Sequence, residues 1–205
     1  MESSFFVAFV AFCRNVLGLV TRPYETIRRI VDRSRPIELF YVAVLLAVYF
    51  SLASLVKIAT FRPFLLTREF MLLAAGAAAT YIFAVGVFWF AGKLVRTTGT
   101  LRGLAISWGY SLVPTFLWFL GTSILYVIVP PPRTTSAQGI LFSILFLVFS
   151  VTIFFWKVTI AYLSLRFGLK LSLGKILIIS TIAIPLLAIY SVGMYKWGIF
   201  KVPFL

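Results

Sequence analysis

The 205-residue chain is 62% hydrophobic and 18% aromatic, with 12% charged residues and a mean hydropathy of +1.08. Soluble domains carry roughly a quarter charged residues, so this composition excludes a water-soluble fold and fits a single membrane-embedded domain. The net charge is +14, from 19 Lys and Arg against 5 Asp and Glu; there is no histidine, and Cys13 is the lone cysteine, which excludes imidazole chemistry, thiolate metal clusters and internal disulfides.

Residues 3–22 come first. They do not read as a signal peptide, because Glu2 occupies the place of a basic n-region and the apolar stretch Phe5–Cys13 ends at Arg14 without a small-residue cleavage site. On a helix Phe5, Phe9, Phe12, Val16 and Leu19 share one face, with Arg14, Asn15, Gly18 and Arg22 opposite. That pattern predicts an amphipathic helix lying in the plane of the interface. The alternative is a sixth span over Phe5–Thr21, which would place Arg14 at mid-membrane at considerable cost.

A second short helix follows in "RPYETIRRI" (Arg22–Ile30), opened by Pro23 at a first helical position. Tyr24, Ile27 and Val31 share its apolar face; Glu25, Arg28, Arg29, Asp32 and Arg33 take the wet one, and Pro36 ends it. It reads either as a platform for a partner or as a lipid-surface anchor, with Arg14, Arg22, Arg28 and Arg29 as candidate contacts to anionic headgroups. Residues 1–36 are thus expected to form a cytoplasmic amphipathic membrane-surface segment ahead of a transmembrane domain over 37–205.

Five uncharged windows come next: Leu39–Val56, Phe70–Gly92, Gly103–Pro132, Thr134–Trp156 (continuing past Lys157 to Leu165) and Ile176–Tyr195. Each is close to or above the roughly 20 residues a spanning helix needs, and none alternates as barrel strands do. The expected fold is an all-α integral membrane bundle of five transmembrane helices, over about 37–57, 70–94, 104–129, 139–165 and 175–195, preceded by one or two amphipathic interfacial helices. Pro114 and Pro185 lie within the third and fifth spans and should kink them. Pro130–Pro132 with Arg133 to Thr135 marks an extended loop between the third and fourth spans.

Cation placement orients the bundle. One side holds Arg14, Arg22, Arg28, Arg29, Arg33, Arg35, Lys93, Arg96, Arg102, Arg166, Lys170 and Lys175. The other holds Lys57, Arg62, Arg68, Arg133, Lys196 and Lys201. This bias places the N-terminus in the cytoplasm and the C-terminus outside. The same distribution assigns the basic excess to anionic lipid rather than nucleic acid.

Chemistry has few places to reside. The acids Glu2, Glu25, Asp32, Glu38 and Glu69 lie outside the spans or at their mouths, and no phosphate-binding glycine motif occurs. No catalytic residue, cofactor or metal is expected. Lys157 is the exception, a single cation inside the fourth apolar run. Ser136, Ser143, Ser150, Lys157 and Ser164 are spaced by seven and form one slowly drifting polar stripe. Ser107, Ser111 and Thr115 repeat at four-residue intervals on the third span, as do Gly76, Thr80 and Ala84 on the second; Ala47, Ser51 and Ser54 line the first. Lys157, Ser150, Ser143, Ser164, Ser111, Thr115 and Glu38 therefore make a candidate intramembrane polar site, with Glu38 the nearest counter-ion by depth. For the serines the competing reading is helix packing through small residues. For Lys157 the readings are an inward structural lysine, a ligand or anion site, and snorkelling to the cytoplasmic end.

Three segments carry a family resemblance: "RPYETIRRI", "GTLRGLAISWGYSLVPTFLW" (Gly99–Trp118) and "AYLSLRFGLKLSLGKILIISTIAIPLL" (Ala161–Leu187), with "GYSLVP" (Gly109–Pro114) the most telling. Together they resemble the Yip (Ypt-interacting protein) family, which implies five spans and a cytoplasmic N-terminus. Eukaryotic relatives are associated with Rab GTPases, vesicle trafficking and membrane shape, through longer N-terminal regions. The short segment here puts GTPase binding in doubt and implies a prokaryotic member, for which the plasma membrane is the expected location. The function expected is that of a non-enzymatic membrane organiser or adaptor, acting through lipid contacts and through helix contacts with itself or other membrane proteins. The alternative is a small transporter or channel with an anion-facing Lys157 between spans three, four and five.

Overall fold

The computed structural model describes residues 2–57, 63–128 and 137–199. The Pro130–Thr135 connection, Ser136 and the cations Arg62, Arg133 and Lys201 lie outside the described residues. Eight helices follow in order: α1 (Glu2–Thr21), α2 (Pro23–Arg33), α3 (Ile37–Lys57), α4 (Pro63–Leu94), α5 (Leu101–Tyr110), α6 (Leu112–Ile128), α7 (Ala137–Gly168) and α8 (Leu173–Lys196). Among the described residues the fold is entirely helical.

Four stretches are long and apolar enough to cross a membrane: Thr67–Leu94, Leu101–Leu125, Ala137–Gly168 and Leu173–Lys196. The expected first span, 37–57, corresponds to α3. Its helix runs 21 residues, about 30 Å at 1.5 Å per residue, and the apolar part described within it is Ile37–Leu52. The third span is two helices, α5 and α6, broken at Ser111. Pro114 has no amide hydrogen to give the Tyr110 carbonyl, and Ser111 N–H bonds instead to the Trp108 carbonyl, 3.0 Å away. Pro185 sits inside α8, whose helix continues through it to Lys196.

α5 is the hub. It packs on α2, α3, α4 and α7, burying Gly103, Leu104, Ile106, Ser107, Gly109 and Tyr110. Two apolar cores flank it. One joins Phe12 and Leu19 of α1, Ile27 and Ile30 of α2, Val42 of α3, Ile106 and Tyr110, and Ile160 and Leu163 of α7. The other joins Val85 and Phe88 of α4, Leu104, and Leu165, Ile176 and Ile179 toward α8.

The α4–α5 and α7–α8 turns are stitched together. Thr97 Oγ1 donates to the Leu169 carbonyl, and Thr100 N–H donates to the Gly168 carbonyl at 3.2 Å. A Cβ at Gly99 would overlap the Gly168 carbonyl and the Leu169 backbone, so only glycine permits this approach. Both preceding helices close with a basic residue in the left-handed region, Arg96 (φ 55) and Lys170 (φ 52). The next amide reaches back five residues in each case, Thr97 to Gly92 and Leu171 to Arg166, a Schellman closure. α2 lies at this same end, with Tyr24 edge-on to Phe167 at 4.9 Å and 81°. The basic turns and the N-terminal arginines therefore share one end of the bundle.

The contacts of α1 fix its course. Tyr41 donates to the Phe5 carbonyl at 2.8 Å and packs on Phe9 and Phe12; Asn15 meets Glu38; and the Trp156 indole donates to the Leu19 carbonyl at 3.1 Å. From Phe5 to Asn15 α1 advances about 15 Å, while its partners on α3 shift only from Tyr41 to Glu38. The helix then moves on to α7. It crosses α3, α5 and α7 rather than running down one of them.

The expected faces of α1 need correction. Its inward row is Ala8, Ala11, Phe12, Asn15 and Leu19, all buried, while Phe5 and Phe9 are half exposed. Asn15 and Gly18, expected on the wet face, turn inward, with Gly18 against Thr26. The outward surface, with Phe6, Val7, Val10, Leu17 and Val20, is apolar around Arg14. A helix this apolar on all sides is suited to burial between protein and lipid.

Candidate functional site

Two clusters of interior polar groups stand apart from each other. The first joins α1, α3 and α5. Glu38, 2% exposed, accepts from Asn15 Nδ2 at 3.0 Å and from the Tyr110 hydroxyl. Asn15 also donates to the Tyr110 oxygen at 3.2 Å. Asn15 Oδ1 is buried with no hydrogen-bond partner among the described residues. Phe12 covers the group, with its ring 5.8 Å from that of Tyr110. These hydrogen bonds tie α1 to α3 and α5.

The second cluster surrounds a cavity of about 110 Å³ deeper in the membrane region. α3, α4, α6, α7 and α8 converge on it with Trp108 from the end of α5 and Ser111 from the break. Its polar lining is Thr80, Tyr81, Trp108, Ser111, Thr115, Lys157, Tyr190 and Ser191; the remainder, such as Leu46, Phe119 and Leu187, is apolar. Three hydroxyls are spent on backbone: Thr80 donates to the Gly76 carbonyl (2.8 Å), Tyr81 to Ala105 (2.6 Å) and Ser111 to Trp108 (2.7 Å). Tyr190 and Thr80 lie 3.3 Å apart. Thr115 Oγ1 is buried with no partner among the described residues. Lys157 likewise has no ion-pair or hydrogen-bond partner among them.

Of the residues singled out from the sequence, Lys157, Ser111 and Thr115 come together around this cavity. Glu38 does not join them and is engaged elsewhere. Ser150 accepts from the Trp118 indole at 3.0 Å, joining α6 to α7. Ser164 is fully buried and donates to the Ser107 and Ile160 carbonyls. Ser143 is exposed and bonds back to Gly139 of its own helix at 2.9 Å. The described part of the seven-residue stripe is therefore not one continuous polar seam. Arg14 and Arg28 are exposed and Arg29 half-buried, while Arg22 lies 3.8 Å from Glu25 in a solvent-exposed pair.

Asn15, Tyr110, Trp108, Tyr190 and Ser191 were not singled out from the sequence as site residues. Tyr110 and Ser111 do fall inside the "GYSLVP" segment, which forms both the hydrogen bond to Glu38 and the helix break at the cavity.

Four membrane-length apolar helices packed around such a buried polar interior define an integral, multi-pass membrane protein. The Yip1 domain family model matches residues 17–195, and the chain belongs to that family of membrane proteins. No curated protein and no solved structure matches the chain.

Proposed function

We propose that this Yip-family member is a non-enzymatic organiser of the membrane, acting through lipid and helix–helix contacts, with the N-terminus in the cytoplasm and α3 as the first of five spans. The course of α1 carries this reading. A helix laid across three others, with Phe6, Val10, Leu17 and Val20 facing outward, inserts apolar side chains into one leaflet. Beside it, Arg22, Arg28, Arg29 and Arg33 of α2 present the positive charge that attracts anionic headgroups. For a prokaryotic cell, we place the protein in the plasma membrane.

Native mass spectrometry of the chain extracted in mild detergent tests the proposal. Anionic lipids, further copies of the chain or stoichiometric membrane-protein partners should be retained. A solitary monomer that also strips clean of lipid contradicts it.

A second reading, a small transporter or channel, is favoured by the cavity beside Lys157. Lys157→Ala should then abolish anion flux in liposomes while the protein still folds; unchanged flux removes this reading.

A further inference from the structure

We infer that the cavity beside Lys157 is a binding site for one small monovalent anion, of the chloride or nitrate class. Charge comes first. Lys157 brings one positive charge to the wall of a membrane-embedded cavity, and among the described residues no carboxylate lines that wall. Glu38, the acid closest to such a role, is held by Asn15 and Tyr110. Leaving an ammonium unpaired in a largely apolar interior is costly, and a single anion offsets part of that cost.

Donor chemistry points the same way. Once Thr80, Tyr81 and Ser111 have bonded to backbone carbonyls, the Thr115 hydroxyl has no partner, and the Trp108 indole and Ser191 hydroxyl have none among the described residues. These groups donate, as does the lysine. A cation would find no negative oxygen here.

Size narrows the class. The cavity, about 110 Å³, is several times the roughly 10–15 Å³ of probe volume that one water needs. That admits a halide or a planar oxyanion together with water. Because Leu46, Phe119 and Leu187 form much of the wall, an entering ion gives up hydration. Weakly hydrated anions are therefore preferred, nitrate over chloride and chloride over fluoride.

The inference shares Lys157 with the transport reading but requires occupancy, not passage. The probe is radiolabelled chloride, bound to the full chain in nanodiscs at constant ionic strength with gluconate as the inert anion. The wild type should bind it saturably, nitrate should displace it and gluconate should not. Lys157→Met should lower affinity by about tenfold or more, the loss expected for one charge-assisted contact. Absence of saturable binding, or a Lys157→Met variant that binds as the wild type does, overturns the site. Should Lys157→Met fail to fold, Thr115→Val and Ser191→Ala decide: weaker binding in either supports the site, and unchanged affinity in both overturns it. Chloride flux in liposomes is read separately, so binding without flux sinks transport alone and flux without saturable binding sinks the site alone.

Discussion

Among the described residues Glu38 is the acid that the bundle buries, and its two partners come from sequence positions 23 and 72 residues away. Tyr110→Phe removes the donor to Glu38 and the acceptor for Asn15. We expect it to destabilise the protein by roughly 1–3 kcal/mol, the cost of leaving buried polar groups unpaired, seen as a lower unfolding temperature in detergent. Asn15→Ala should cost less in the Tyr110→Phe background than alone, because both residues serve one network; additive losses would show that the three groups do not act together. Lys157 was legible in the sequence because charge inside an apolar run is rare. Its surroundings were not, since Trp108, Tyr190 and Ser191 reach the cavity from helices whose packing no local pattern reports. Depth along the chain paired Glu38 with Lys157, but depth does not specify which side of a helix a residue occupies.

At the scale of elements, the helices themselves were readable from apolar length and from Pro23, Pro36 and the arginine-rich ends. The inward face of α1 was not. Period alone selected the large residues Phe5, Phe9 and Phe12, as for a helix on a soluble core, whereas α1 turns Ala8, Ala11 and Asn15 inward beside Phe12. In lipid the apolar solvent takes the bulky side chains and small residues allow close approach, so hydrophobicity no longer marks the packed face. Spin labels at Phe6, Val10 and Leu17 should report similar, shallow depths, about 5–10 Å below the headgroup boundary. Depths that run through the bilayer centre would make α1 a span. The stitched turns give a second expectation at this scale. Gly99→Ala places a methyl against the Gly168 carbonyl and should lower thermal stability, while a neutral outcome would mean that the two turns are not held in contact.

For the whole molecule, topology turns on α3. Four stretches are long and apolar enough to span, in α4, α5 with α6, α7 and α8; a fifth span rests on α3 and its 21 helical residues. The structure puts the arginines of α2 and the turns bearing Arg96 and Lys170 at one end, the arrangement expected of a cytoplasmic face. An odd number of crossings separates the termini, and an even number brings them together. Impermeant thiol labelling therefore tests the account directly, on a Cys13→Ser background with a single cysteine introduced at Glu2 or appended after Leu205. The five-span account predicts that the N-terminal cysteine is labelled only after the membrane is permeabilised and the C-terminal one from outside intact cells. Both termini labelled from the same side would contradict it.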